Sequence, residues 1–424
     1  MKSRISEVTS WLKQMTQSSQ IKNSFISFEE SFEWSIAQGS LVHKSGGFFK
    51  IIGIKWINAH GKEISQPLIE QNEIGTLGFL ARRKNNLTEL LVQAKVEPGN
   101  VGFAQLSPTH QATLSNSLRL HGGNFPPFTE FFLQKNNLHV LYESLQSEQG
   151  LRFFGKRNKN IILYTHKHIE NMKTHRWFQV EELMELLHEP YLINTDARSV
   201  LVSSPWEKLI NRIPFTRYKT NFAKELYNSF VSVSRQETVN EEINKLSRLS
   251  KKINRPSIVA LDKIQGWTVS DKEISTPLSE EFSVKQIRIK MLGREVGSWD
   301  QPILYSPWPL YITLLCGKKD KILYFAFKYQ IEPGLYNLIE LGPTDMSYKD
   351  NSYDGQLIIK SHQSEEGGRF YQNKSIYRII DIGEIKKSSE TVWLTLGDIH
   401  KLFTYEGIFT NEARSILVLL LHWL

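Results

Sequence analysis

The stretch "VQAKVEPGN" (Val92–Asn100) has the pattern of a strand that runs into a turn, and its core recurs as "KYQIEPGLY" (Lys328–Tyr336). Other blocks recur with it: "QSEQGLRF" at Gln146 is repeated as "QSEEGGRF" at Gln363, and "DARSVLV" is repeated as "EARSILV". Ordered similarity of this kind is typical of a duplicated structural unit. The sequence therefore predicts two copies of one module.

The spacing between the copies shows where they differ. Glu97 and Glu332 are 235 residues apart, whereas Gln146 and Gln363 are 217 apart. The first copy therefore holds about 18 additional residues between these blocks, within the segment that contains "HQATLSNSLRLHGGNFPP". The two copies are related but no longer equal.

Each copy mixes two kinds of pattern. Short runs rich in β-branched and aromatic residues, such as "FFKIIGIKWI", indicate strands, and "QVEELMELLHE" has the apolar spacing of a helix. We predict an α+β fold of mixed sheets with flanking helices, divided into an N-terminal module (1–206), a helical connector (207–262) and a C-terminal module (263–424). The connector carries one apolar stripe, which is expected to pack either on a copy or on a second subunit.

Composition narrows the class of protein. The chain has 424 residues, 40% of them hydrophobic and 23% charged, as in ordinary globular proteins. One cysteine excludes an intramolecular disulfide framework and suits a reducing compartment. We recognise neither a signal peptide nor a membrane-spanning run, so a cytoplasmic protein is expected.

The net charge of +8 raises the question of a nucleic-acid partner. No zinc-ligand spacing, helix-turn-helix pattern or RNA-binding motif accompanies the basic clusters, so nucleic acid is not expected as a partner. Without a membrane-spanning run, a membrane is not expected either. A basic cleft for a small phosphorylated ligand explains the charge equally well.

The strand before the first Glu-Pro-Gly offers a candidate site. Alternation along a strand places Gln93, Lys95 and Glu97 on one face, opposite an apolar face. In the second copy the same face carries Lys328, Gln330 and Glu332, with lysine and glutamine exchanged. A lysine, an amide and a carboxylate can hold an anion and move a proton, although a solvated sheet face would read the same way.

The second candidate is "LQSEQGLRFFGKRNKN", in which Gln146 and Glu148 precede Arg152, Lys156 and Arg157. Clustered arginine and lysine suit a diphosphate, because their contacts are charge-assisted. A plain basic loop remains the alternative. His121 is also of interest, because its "HGG" lies in the segment found only in the first copy. No set of residues has the spacing of a metal site.

Several of these blocks resemble one family. "QPLIEQNEIGTLGFL", "QAKVEPGN", "LSPTHQATLSN", "HGG" and "QSEQG" in the first half, with "GSWDQP", "ELGPT", "QSEEGGRFY" and "NEARS" in the second, are similar to the NDP-hexose 2,3-dehydratases of deoxysugar biosynthesis. The resemblance covers nearly the whole chain.

The resemblance implies a hydro-lyase built from tandem Nudix-like modules and assembled as a homodimer, with no cofactor and no metal. The implied substrate is dTDP-4-keto-6-deoxy-D-glucose and the product is its 3,4-diketo-2,6-dideoxy counterpart, which a 3-ketoreductase would receive. A nucleotide-sugar hydrolase or isomerase, or a non-catalytic nucleotide-sugar-binding protein on the same fold, remains the alternative.

The matching blocks also imply site residues. Glu97, Glu148 and His121 are the candidate bases, and Lys95 would stabilise an enolate or protonate the leaving hydroxyl. The expected substrate-binding residues are Gln66, Gln71, Gln93, Asn100, Ser107, Thr109, Ser115, Asn116, Gln146, Arg152, Lys156, Arg157, Asn158 and Arg198. The second pocket is expected to contain Gln301, Lys328, Gln330, Glu332, Gln363, Glu365 and Arg369, and to be degenerate.

Overall fold

The fold was analysed in a computed structural model, which describes residues 2–58, 61–117, 125–134, 138–232, 236–277, 282–292, 297–385, 388 and 390–424. Up to residue 203, the elements are α1 (Lys2–Ser19), β1 (Lys22–Ile26), β2 (Trp34–Ala37), β3 (Ser40–His43), β4 (Lys50–Ile57), β5 (Glu63–Glu70), β6 (Gly75–Lys84), β7 (Leu87–Val96), β8 (Ala104–Ser107), β9 (His110–Ala112), α2 (Leu114–Ser117), α3 (Thr129–Gln134), β10 (His139–Ser147), β11 (Phe153–Phe154), β12 (Arg157–Tyr164), β13 (His175–Gln179), α4 (Val180–Glu185), a 3₁₀ turn (Leu186–His188) and α5 (Thr195–Ser203).

The middle of the chain is mainly helical. It contains α6 (Trp206–Ile210), α7 (Asn221–Val231), α8 (Gln236–Ser250), the short strand β14 (Ser257–Val259) and a 3₁₀ turn (Leu261–Lys263). The apolar stripe of these helices packs on the second copy: Leu226 and Leu246 are buried, and the Ser229 hydroxyl donates a hydrogen bond to the Leu323 carbonyl (2.6 Å).

The remaining elements are β15 (Thr268–Val269), β16 (Glu273–Ser275), β17 (Ser283–Lys290), β18 (Ser298–Tyr305), β19 (Leu310–Lys319), β20 (Ile322–Ile331), β21 (Ile339–Gly342), β22 (Asp345–Ser347), β23 (Gln356–Ser364), β24 (Lys374–Glu384), β25 (Thr391–Leu394), α9 (Leu396–Leu402), α10 (Asn411–Leu417) and a 3₁₀ turn (Val418–Trp423). The α+β class is confirmed, whereas the module boundaries stay a prediction. Within the part of the chain that the structure describes, no helix is both long and apolar enough to cross a membrane.

Two seven-stranded sheets share one topology. In the first, β10, β12, β6 and β7 lie side by side, with β8 and β13 paired to β7 and β9 paired to β6. In the second, β23, β24, β19 and β20 follow in the same order, with β21 and β25 paired to β20 and β22 paired to β19. The pairing of β12 with β6 and that of β24 with β19 are both parallel, in a mostly antiparallel arrangement.

The two copies exchange a strand. Strand β1, which precedes the first copy, pairs antiparallel with β17 of the second copy. Strand β14, which precedes the second copy, pairs antiparallel with β4 of the first. The registers are equivalent, because Phe25 lies opposite Ile287 and Ile258 lies opposite Ile54, so that both partners are displaced by 233 residues. Each copy therefore completes a sheet of the other.

Helices α5 and α10 lie against each other, and each contributes a fully buried arginine. The Arg198 guanidinium of α5 donates to the Gln363 side chain (2.7 Å) and to the Ser364 carbonyl (3.0 Å) of the second copy. Arg414 of α10 donates to the Ser147 carbonyl of the first copy. A buried guanidinium is stabilised only if its N–H groups are bonded, so both arginines tie one copy to the other.

An asymmetric pair lies beside these arginines. The Ser147 hydroxyl donates to the buried Glu340 carboxylate (2.6 Å), and at the equivalent place in the other copy the Gln105 amide donates to the Ser364 hydroxyl (2.7 Å). Burial raises the pKa of Glu340 to about 7, against the opposing effects of the Ser147 hydrogen bond and the Arg414 charge. The glutamine on the other side carries no such titration.

Replacing Glu340 with Gln is expected to stabilise the chain at high pH. The Glu340 carboxyl titrates near pH 7 in the fold but near about 4.3 when unfolded, so the folded chain binds the extra proton between these values. The free energy of unfolding of the unsubstituted chain therefore falls as pH rises between these two values and stays lower above them. Urea unfolding should show the advantage of the Gln variant growing by up to roughly 3 kcal/mol between about pH 4 and about pH 8. A difference that does not change with pH would contradict this explanation.

Candidate active site

Each Glu-Pro-Gly turn contacts the other copy. The Gly99 N–H donates to the Gly367 carbonyl (2.8 Å), and the Gly99 carbonyl accepts from the Gln372 N–H (2.7 Å). The equivalent bonds join Gly334 to Gly150 (2.8 Å) and to Gly155 (2.7 Å). A Cβ at position 99 would overlap the Phe370 carbonyl, and one at 334 would overlap that of Phe153. Glycine is needed at both turns because backbone meets backbone there.

These contacts make two composite sites. We define the first site as Lys95, Glu97 and Lys156 of the first copy with Glu366 and Arg369 of the second. The second site consists of Gln330 and Glu332 of the second copy with Gln149 and Arg152 of the first. The sequence-based grouping placed Glu97 and Arg152 in one pocket, whereas the turns bring the loop after Gln363 to Glu97 and the loop after Gln146 to Glu332.

Strand β7 has the predicted alternation. Leu90, Val92, Ala94 and Val96 are buried in the core, and the opposite face carries Gln93, Lys95 and, directly after the strand, Glu97. The Lys95 ammonium lies 2.8 Å from Glu97 Oε1. The other oxygen of Glu97 is buried and accepts no hydrogen bond from the described residues. One oxygen of Glu97 is thus paired with Lys95, and the other is free to accept a hydrogen bond or a proton.

Three further carboxyl groups lie within electrostatic reach of this pair. Burial, with the charge of Glu366, raises the pKa of Glu148 to about 7, against the nearby cations Arg414 and Lys156. Burial also raises the pKa of Asp196 well above its ordinary value, with Glu148 and Glu366 adding to the effect. These carboxyl groups share a buried region, so they hold protons that an exposed carboxyl would release.

Glu366 and Lys156 complete the first site. Burial raises the pKa of Glu366; Arg369 opposes this shift and Glu97 adds to it. Burial lowers the pKa of Lys156 to about 8, although Glu148 opposes the shift, and its ammonium donates to the Glu73 carbonyl. Two amines and four carboxyl groups therefore share one region, in which proton transfer between neighbours is easy to arrange.

The second site lacks this combination. The equivalents of Lys95, Lys156 and Glu366 are Gln330, Asn373 and Gln149. Burial and the charges of Glu412 and Glu340 raise the pKa of Glu332 well above its ordinary value, with Arg152 opposing them. The carboxyl group is retained there, but the amine and the second carboxyl group beside it are not.

Several predicted binding residues hold the loops of these sites. Gln66 donates to the Leu151 carbonyl (2.9 Å), and Gln301 donates to that of Gly368 (2.7 Å). Gln71 accepts from the Arg369 guanidinium (3.4 Å), which stacks on Phe49.

The other predicted arginines differ in their surroundings. Arg152 stacks on Phe282 and donates to the Tyr348 hydroxyl (3.0 Å). Arg157 stacks on Tyr336, whose side chain is exposed. Arg198 is fully buried and bonded to the other copy.

The remaining predicted residues have these positions. Ser107 donates to Gln93 (3.3 Å), Thr109 donates to the Leu91 carbonyl, Gln146 donates to Ser144 (3.1 Å), and the Ser115 N–H donates to Glu73 (2.9 Å). Asn158 donates to Glu148 (2.5 Å), and Glu365 accepts from Gln149 (2.7 Å) and Ser375 (2.6 Å). Asn100 is buried against Gly367, Asn116 is exposed, and Lys328 is partly exposed on β20. His121 lies outside the described residues.

Sequence reasoning missed Glu366, Asp196 and Glu73. The signal for Glu366 was present, since "QSEQG" and "QSEEG" differ at this residue and its equivalent, Gln149. A search for what the copies share passes over a position at which they differ. Among the described residues, no group of three or more His, Cys, Asp and Glu side chains is arranged to hold a metal ion.

A separate surface cleft of about 430 Å³ is lined by the basic run Arg82, Arg83 and Lys84 together with His168 and Trp177. The Arg82 guanidinium is already bonded to Glu89 (2.7 Å) and stacked on Trp177 (4.1 Å). The lining includes none of the residues Glu97, Glu148, Asp196 and Glu366, so this cleft is separate from the composite sites.

Comparison with known proteins places this geometry in context. The sequence model of the NDP-hexose 2,3-dehydratases matches residues 5–203 and 247–420. The chain is 31% identical to the dTDP-4-dehydro-6-deoxy-alpha-D-glucopyranose 2,3-dehydratase of Saccharopolyspora spinosa, over 96% of this chain and 89% of that protein. It is 30% identical to the enzyme of the same name from Amycolatopsis orientalis, over 98% and 89% of the two chains.

Replacing Gly99 with Ala is expected to destabilise the fold by about 1–3 kcal/mol, because the new methyl group overlaps the Phe370 carbonyl and forces the turn away from the other copy. Gly297 is the matched control, since a Cβ there meets nothing within 4 Å, and its Ala variant should stay within about 0.5 kcal/mol of the unsubstituted chain. Urea unfolding measures both variants. Equal stabilities would show that the close approach does not constrain the fold.

Proposed function

Because the chain belongs to the NDP-hexose 2,3-dehydratase family, we propose that it converts dTDP-4-keto-6-deoxy-D-glucose to dTDP-3,4-diketo-2,6-dideoxy-D-glucose with loss of water. The observation that carries the proposal is the first site, in which a carboxylate paired with an ammonium lies among carboxyl groups that hold protons. Elimination next to a ketone needs this combination of a base and an acid.

Glu97 is the base in this proposal. The ketone at carbon 4 acidifies the hydrogen on carbon 3, and a carboxylate can remove that hydrogen if the developing enolate is stabilised. The Lys95 ammonium lies 2.8 Å from Glu97 Oε1, where it can also stabilise the enolate. Glu148 suits this role less well, because its two oxygens accept hydrogen bonds from Asn158 (2.5 Å) and Asn411 (3.1 Å).

The elimination then proceeds by proton transfers and loss of water, with no oxidant or reductant. The enolate expels the hydroxyl group from carbon 2, which leaves as water once it has gained a proton. The resulting enol takes a proton at carbon 2 and loses the proton of its hydroxyl group at carbon 3, which gives the 3,4-diketone. A positioned base and a positioned acid each contribute roughly 10²–10⁴-fold to such a reaction.

For the diphosphate of the substrate we propose Lys156 and Arg369. Arg369 stacks on Phe49 and faces Gln71 in the first site, and the charges of Lys156 and Arg369 act on each other. An arginine suits a diphosphate because its N–H groups bind two oxygens at once. Arg152, for which sequence reasoning expected this role, borders Glu332 and would serve the second site.

Three further parts of the proposal concern fold and assembly. We propose that each copy is a Nudix-like module, that the chain forms a homodimer, and that the diketone passes to a 3-ketoreductase. The repeated order of strands is consistent with the first part. The third follows from chemistry, since a vicinal diketone is reactive and prompt reduction converts it to a more stable product.

In deuterated buffer containing EDTA, the chain is expected to convert dTDP-4-keto-6-deoxy-D-glucose to a product with deuterium at carbon 2, because the final protonation draws on solvent. Proton NMR and mass spectrometry of the product measure this directly. Formation of dTMP with a free sugar phosphate would instead indicate a hydrolase, and loss of turnover on chelation would contradict acid–base chemistry by side chains alone.

Replacing Glu97 with Gln is expected to lower kcat by about 10²–10⁴-fold, because the amide cannot accept the carbon-3 proton. The matched variant is Glu332→Gln at the equivalent position of the second site, where no lysine accompanies the carboxyl group; it should lower kcat far less. Steady-state kinetics on both variants decides the point. Equal losses would contradict the assignment of chemistry to the first site.

A further inference from the structure

We propose that Glu366, which the second copy contributes to the first site, is the catalytic acid that protonates the departing carbon-2 hydroxyl group. This inference rests on the proposed dehydratase function and deepens it by naming the proton donor. It also assigns a chemical role to a residue of the second copy, so that the base and the acid come from different copies.

The loop around Glu366 is fixed from several directions. The Glu366 carbonyl accepts hydrogen bonds from the N–H groups of Arg369 (3.2 Å) and Phe370 (3.0 Å), which closes a turn. The next residue, Gly367, accepts from Gly99, and the Gly368 carbonyl accepts from Gln301 (2.7 Å). The side chain of Glu366 is therefore held next to the Glu-Pro-Gly turn that ends in Gly99.

The carboxyl groups of Glu366 and Glu97 approach one point. Glu366 Oε1 and Glu97 Oε1 both lie within 3.6 Å of the place that a Cβ of residue 368 would occupy. A base and an acid that act on neighbouring sugar carbons each need a hydrogen-bond reach of about 3 Å. The two carboxyl groups are close enough to each other for both to reach one sugar. Glu366 is also partly exposed, so a ligand can reach it.

The surroundings of the two groups suit opposite roles. Glu97 is paired with the Lys95 ammonium through Oε1, and its other oxygen accepts no hydrogen bond from the described residues. Burial and the charge of Glu97 raise the pKa of Glu366, against Arg369, Lys95 and Lys156. Two carboxyl groups in different surroundings can divide the tasks of base and acid.

Other proton donors at the site are less suitable. The Lys95 ammonium is bonded to Glu97, and losing its proton would break this ion pair. The oxygens of Glu148 are both occupied by amides. At the second site the equivalent of Glu366 is Gln149, an amide of the same shape that has no acidic proton and donates to Glu365.

The protons balance over the reaction. Glu97 takes the hydrogen from carbon 3, and the electron pair of that bond forms the enolate. The pair then forms the double bond between carbons 2 and 3 as the bond from carbon 2 to oxygen breaks, and that oxygen leaves as water with the Glu366 proton. Transfer of a proton from Glu97 to Glu366, directly or through solvent, restores both groups.

The test compares the full chain with its Glu366→Gln variant on dTDP-4-keto-6-deoxy-D-glucose in deuterated buffer. We expect dehydration to fall by about 10²–10⁴-fold, while the carbon-3 hydrogen of recovered substrate still exchanges for deuterium, because Glu97 is intact. In the unsubstituted chain kcat should decline on the alkaline side as Glu366 loses its proton. Glu366→Asp should retain part of the activity and this alkaline decline.

Glu340→Gln is the matched control, because it also replaces a carboxyl group whose pKa is raised and that lies between the copies; it should dehydrate at the unsubstituted rate. Dehydration by Glu366→Gln within about threefold of that rate would overturn the inference, as would loss of carbon-3 exchange together with dehydration. If the unsubstituted chain itself released no water from this substrate, the proposed function would fall, and the assignment of the acid with it.

Discussion

The hydrogen bond from Gly99 to Gly367, with its equivalent from Gly334 to Gly150, is the contact on which the rest of the site depends. It requires two backbones to meet without a side chain between them, and only glycine allows that approach. Because the contact crosses from one copy to the other, it decides which loop faces which carboxylate. The position of every group around Glu97 follows from this choice of partner.

Between the copies the chain buries many ionisable groups, at a cost that only mutual pairing and hydrogen bonding reduce. Arg198 and Arg414 are bonded on several sides, and Glu148 accepts from two amides. The carboxyl groups outnumber the cations nearby, so part of the charge is removed by protonation instead. This excess of carboxyl groups over cations lowers the stability of the fold as pH rises. The same protonated carboxyl groups can supply protons to the reaction.

Much of this was predictable from local patterns. The alternation along β7 placed Gln93 and Lys95 opposite a buried face, and the ordered blocks identified the family. The crossing of the loops was not predictable, because sequence order groups residues by copy and says nothing about which turn meets which loop in space. Glu366 was not predicted as a site residue for a related reason: a search for shared residues overlooks a position at which one copy has a carboxyl group and the other an amide.

The exchange of β1 and β14 has a consequence for how the molecule comes apart. Neither copy can lose its order alone, since its sheet includes a strand that belongs to its neighbour, and the principal hydrophobic core runs through both. We therefore expect the duplicated halves to unfold as one cooperative unit rather than as two domains on a tether. The free energy of unfolding cannot be divided between the two copies. A substitution that destabilises the second copy, which lacks equivalents of Lys95 and Lys156, is therefore expected to destabilise the first copy equally.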